Sequence, residues 1–126
     1  MADEVNLRNL ALDVIVSVMD KGAYSDKAIH AALEKHPGLE KRDRAFFTRL
    51  CQGTIEYAVS SDYIINLFSK TKVKKMKPVI REILRMGVYQ IMHMDSVPDS
   101  AVCNEAVKLA GKRGFRQLSG FFQMID

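Results

Sequence analysis

Apolar residues along this chain recur at three- and four-residue steps almost from end to end, and no stretch alternates long enough to predict a strand. Leu7, Leu10, Ala11, Val14, Ile15 and Val18 form one stripe, which predicts a first helix that stops before Gly22. Ser25 is placed to cap a short second helix, with Asp26 in its first turn and Ile29, Ala32 and Leu33 facing inward, ended by His36-Pro37-Gly38. A third helix is predicted over 40–59. Phe46, Phe47, Leu50, Thr54 and Tyr57 fall there at core spacing, Lys41, Arg42, Arg44 and Arg49 are left for other faces, and Ser60-Ser61 break the run.

Asp62 sits early in a fourth helix carrying Tyr63, Ile64, Ile65, Leu67 and Phe68. Five lysines in the next eight residues, Lys70, Lys72, Lys74, Lys75 and Lys77, read as a connector. Pro78 fits the first turn of a fifth helix, where its missing N–H is not needed, and Ile80, Ile83, Leu84, Val88 and Ile91 form the stripe. Gly87 inside that helix costs up to ~1 kcal/mol relative to Ala, which predicts a close neighbour. Val97-Pro98-Asp99-Ser100 opens a sixth helix, Gly111 to Gly114 closes it, and a last amphipathic segment runs over 115–125. Seven short helices with short connectors predict an all-α bundle that fills 1–126 as one domain.

Composition narrows the class. With 126 residues, 48% of them apolar and 27% charged, the chain can build one core and is too apolar for disorder. No apolar run approaches the ~18 residues of a membrane span, and the start Met1-Ala2-Asp3-Glu4 is acidic where a secretory signal is basic, so a cytoplasmic chain with no membrane partner is expected. Cys51 and Cys103 stand far apart with no C-x-x-C, which reads as buried free thiols. His30, His36 and His93 lack ligand-like spacing, and no phosphate loop, nucleophile elbow or H-E-x-x-H is present. No catalytic residue, metal or cofactor is therefore expected in this chain.

The formal net charge of +4 is unevenly placed. Residues 1–60 hold eight Lys/Arg against nine Asp/Glu, and residues 61–126 hold eleven against six, so the basic character belongs to the second half. A localised basic excess suits a polyanion such as RNA. The lysine run Lys70 to Lys77 could follow a phosphate backbone or serve as a solvated linker. Lys108, Lys112, Arg113 and Arg116 form a second cluster, with Lys108 and Lys112 on one helical face. In the last segment Phe115, Leu118 and Phe122 follow a core stripe, whereas Phe121 shares an adjacent face with Gln117. An aromatic ring beside an amide and arginines suits an unstacked base, while a core position for Phe121 fits the spacing as well.

Three stretches carry a family resemblance. Arg42-Asp43-Arg44-Ala45-Phe46-Phe47-Thr48-Arg49-Leu50, Lys77-Pro78-Val79-Ile80-Arg81-Glu82-Ile83-Leu84-Arg85-Met86-Gly87-Val88-Tyr89-Gln90 and Val97-Pro98-Asp99-Ser100-Ala101-Val102-Cys103-Asn104-Glu105-Ala106-Val107-Lys108-Leu109-Ala110 resemble the NusB superfamily, over nearly the whole chain. Their wording, with Lys112-Arg113-Gly114-Phe115, is closer to the N-terminal domain of the RsmB (Sun/Fmu) ribosomal-RNA cytosine-5 methyltransferases. The resemblance implies two three-helix halves with an added helix, and RNA binding through Arg8 and Phe121, to which the charge pattern adds the basic residues Lys108, Lys112, Arg113 and Arg116. Gln117 stands where the family has an acidic residue beside RNA. It implies no cofactor in this domain and S-adenosylmethionine in a C-terminal methyltransferase domain, which is absent from this chain. The leading expectation is thus an RNA-binding domain that positions ribosomal RNA for a catalytic domain elsewhere. The alternatives are a free-standing NusB-like antitermination factor that binds leader RNA with a ribosomal protein, and a helical protein-interaction or dimerisation module.

Overall fold

The computed structural model describes residues 5–115. Asn6 starts the first helix, α1 (Leu7–Lys21), by accepting the backbone N–H of Asn9 on its Oδ1 at 3.0 Å. Gly22 ends that helix at the predicted stop, with φ at 78°, a left-handed conformation that favours glycine. The second helix, α2 (Ser25–Glu34), differs from expectation at its cap: Ser25 is already helical, and Tyr24 holds the capping position without a side-chain bond. Tyr24 is exposed, so water is at hand for the first N–H groups.

The predicted third and fourth helices, α3 (Lys41–Glu56) and α4 (Ala58–Phe68), meet earlier than expected, at a corner on Tyr57. The break comes before Ser60-Ser61, and packing is the reason. Ala58 and Ser61 are small and buried in α4, which packs chiefly on the fifth helix, and the chain turns just ahead of them. Ser60 Oγ then donates to the Tyr57 carbonyl at 3.1 Å and holds the corner from within α4. Ile65 faces the core, whereas Val59, Tyr63 and Leu67 repeat at four-residue steps on the outer side and stay exposed.

The lysine-rich connector is an ordered turn. Val73–Lys75 form a single 3₁₀ turn with Val73 buried, Asn66 Oδ1 accepts the Val73 N–H at 2.9 Å, and Arg81 donates to the carbonyls of Val73 and Met76. Pro78 opens α5 (Pro78–His93) as predicted, and Pro98 precedes α6 (Asp99–Lys112). Gly87 is buried among the core residues of α5.

The described residues thus make six α-helices and one 3₁₀ turn. Among them α1, α2 and α3 pack mutually as one half, α5 packs with α4 and α6 as the other, and α5 also lies on α1 and α3. Leu12, Ile15, Phe47, Leu50, Ile65, Ile83 and Leu84 fill the core where the halves meet. No helix among the described residues is long and apolar enough to cross a membrane. The expected final helix lies outside the described residues, apart from its first residue, Phe115.

Candidate nucleic-acid interface

The start of α1 and the outer face of α6 enclose a cleft of about 330 Å³ lined by Asn6, Arg8, Glu105, Lys108, Leu109 and Lys112. Three of the basic residues singled out from the sequence therefore meet in space: Arg8, Lys108 and Lys112. The i, i+4 spacing of the two lysines places them on one wall, as expected, and Arg8 comes from the opposite end of the sequence.

Arg8 is the most constrained of the three. Its Nε donates to Gln90 Oε1 at 2.9 Å, and its guanidinium lies 5.2 Å from the centroid of the Phe46 ring. Burial pulls its pKa below the ordinary arginine value, partly offset by the Glu105 carboxylate. A cation held partly out of water, on a ring and an amide, is oriented before any anion arrives. Lys108 makes a loose 3.7 Å pair with Glu105 and remains largely exposed, as does Lys112.

Arg113 is turned differently from its neighbours. Its Nη2 donates to Asn9 Oδ1 and Asp13 Oδ1, both at 2.9 Å, so it ties the end of α6 to α1. Of the lysine run, Lys77 reaches the end of α6, with its ammonium 5.5 Å from the Phe115 ring centroid. Lys70, Lys72, Lys74 and Lys75 stay exposed on the connector beside α4, and Lys72 donates to the Asn66 carbonyl at 3.1 Å. Arg116, Gln117 and Phe121 lie outside the described residues.

A second basic surface went unassigned in the sequence reading. Lys41, Arg44 and Arg49, noted there only as facing away from the core, line an open cleft of about 740 Å³ along α3 that ends at Tyr57 and Tyr89. The helical spacing of the cations was legible. Their meeting with two tyrosines was not, because Tyr89 comes from α5.

Among the described residues no cluster of histidine, cysteine and carboxylate side chains could hold a metal. Cys51 is buried, and burial pushes its thiol up to about 12, which leaves it protonated and unreactive at neutral pH.

The six helices of the described residues, in two interlocked halves with a cationic cleft between α1 and α6, define a class already represented among solved structures. Two of them overlay on it with a TM-score of 0.82: one of antitermination factors NusB and NusE in complex with dsRNA, at 18% identity and covering 94% of this chain and 92% of that one, and one of a plectonemic RNA supercoil, at 19% identity and covering 96% and 94%. At those identities the likeness is one of fold. The chain belongs to the NusB family, whose model matches residues 5–122. It is 35% identical over 115 residues to a probable ribosomal RNA small subunit methyltransferase B of Synechocystis sp., covering 91% of this chain and 26% of that protein. The corresponding Bacillus subtilis protein is 28% identical, covering 94% and 26%. A transcription antitermination protein NusB of Symbiobacterium thermophilum is 37% identical over 111 residues, covering 82% and 72%. The chain thus spans about a quarter of the length of its methyltransferase relatives and most of the length of the antitermination relative.

Proposed function

We propose that this chain is an RNA-binding domain that positions small-subunit ribosomal RNA for a cytosine-5 methyltransferase domain. The observation that carries the RNA reading is the cleft in which Arg8, pre-oriented on Phe46 and Gln90, faces the exposed ammonium groups of Lys108 and Lys112. Cations so placed gain affinity from counterion release on meeting phosphates. Arg116, Gln117 and Phe121 extend the proposed contact, with Phe121 offering a ring to an unstacked base and Lys77 approaching from the connector. Arg113 acts mainly by fastening α6 to α1. The ribosomal-RNA reading is supported by the two methyltransferase relatives that align with this chain along a quarter of their own length. S-adenosylmethionine and the bond-making residues would belong to the remainder of such an enzyme.

The test is a titration with a hairpin of small-subunit ribosomal RNA across a salt series. Affinity should fall log-linearly with salt, and each of Lys108→Gln and Lys112→Gln should flatten that slope by roughly 0.7 to 0.9 with little change in melting temperature. No binding at low salt would end the RNA reading.

A second reading, an antitermination factor that binds leader RNA with a ribosomal protein, is favoured by the antitermination relative that the chain matches over most of its length. Adding ribosomal protein to the same titration separates the two, since only this reading expects affinity to rise on its addition.

A further inference from the structure

The described arginines of the second half are all engaged. Arg81, Arg85, Lys108 and Arg113 all take part in ion pairs, whereas among the described residues Lys41, Arg44 and Arg49 form none. These three lie at helical spacing on α3 and face the same 740 Å³ cleft, opposed there by the single acid Glu56. The first half of the chain, acidic by arithmetic, therefore holds a local cationic groove.

One end of that groove is an aromatic shelf. The Tyr57 and His93 rings lie tilted at 31° with centroids 4.2 Å apart, and Tyr89 stacks against both at 5.8 and 5.3 Å. Tyr57 sits at the corner between α3 and α4 with 38% of its surface exposed, and His93 is exposed at the end of α5. Buried Tyr89 holds the shelf from below, in space left by Gly53, where any side chain would overlap its ring.

In each of the two clefts an arginine also reaches α5. Arg8 rests on Phe46 and Gln90, and Arg49 donates through Nη2 to the His93 carbonyl at 2.6 Å.

We propose that the α3 groove is a second RNA subsite that takes unpaired nucleotides, with a base stacked on the Tyr57–His93 shelf and phosphates beside Lys41, Arg44 and Arg49. A single strand is required because a base can lie on the shelf only after leaving its own stack. The proposal rests on the RNA reading above, which assigns the Arg8 cleft. It adds a place for the single-stranded flank of a structured RNA.

The experiment compares a blunt ribosomal-RNA hairpin with the same hairpin carrying single-stranded tails at both ends. For the unaltered chain the tails should strengthen binding about tenfold or more. Tyr57→Ala, and separately the pair Lys41→Gln and Arg44→Gln, should abolish that gain while binding the blunt hairpin as before. Tyr57→Phe should retain it, and helical circular dichroism confirms that each variant is folded. If the blunt hairpin binds and the tails add nothing, or add equally in the groove variants, the subsite is refuted and the RNA reading survives. If neither RNA binds, both are refuted.

Discussion

Glu82 is a carboxyl group with no exposure to solvent, placed between two arginines on its own helix. Arg85 is already held bidentately by Asp62, through Nε and Nη2 at 2.8 Å each, and Arg81 pairs with Asp20. Two guanidinium groups are thus matched by two carboxylates, and a third negative charge would be surplus. Burial, reinforced by the hydrogen bond with Asp20, pushes the Glu82 carboxyl up to about 7 against the pull of Arg85. A proton shared with Asp20 also satisfies Glu82 Oε1 and Asp20 Oδ2, two buried oxygens otherwise without a partner. Because the folded chain keeps this proton longer than the unfolded one, Glu82 contributes stability that is complete below about pH 4.5 and is lost as pH rises through about 7. The loss is on the order of 3 kcal/mol. Glu82→Gln can donate to Asp20 and accept from Arg85 without titrating, so its denaturation midpoint should stay flat over that window while that of the parent declines. Parallel pH profiles would show that Glu82 ionises as an ordinary carboxylate.

Between elements, the close approach of α3 and α5 depends on Gly53. A methyl group there would run into the buried Tyr89 ring, so Gly53→Ala should cost about 1–3 kcal/mol by overpacking, read as a lower melting temperature. It should also displace Tyr89 and quench the tail-dependent gain in RNA binding. An unchanged melting temperature would mean that α3 and α5 part easily. Only some of this was legible beforehand. The apolar stripes of α1 and α5 and the proline that opens α5 follow from spacing and backbone chemistry, and they stand where expected. The corner at Tyr57 did not follow, because its place depends on small residues of α4 meeting another helix. Gly53 reads in isolation as a weak point of a helix, and its role comes from a ring 36 positions away in the chain.

Across the whole molecule, α5 belongs to both halves: it packs with α4 and α6 and also lies against α1 and α3. Its buried charges do the same, through Asp20 of α1 and Asp62 of α4. The halves should therefore unfold as one unit. Guanidinium titrations followed by helical circular dichroism and by tyrosine emission, the chain having no tryptophan, should give coincident midpoints. Separated midpoints would mean that the α1–α3 half unfolds independently.

The sequence by itself determined the helical class, the order of the elements and the basic face of α6, because periodicity and the i, i+4 rule are local and survive without a neighbour. Only the tertiary structure decided which cations are free to meet an anion. Arg8 joins Lys108 and Lys112 across about a hundred residues of chain, Arg113 turns away to bind α1, and α3 acquires its aromatic shelf from α5. The physical reason is that whether a charge is paired, desolvated or exposed depends on side chains brought together by the packing of distant helices, and linear spacing does not record them.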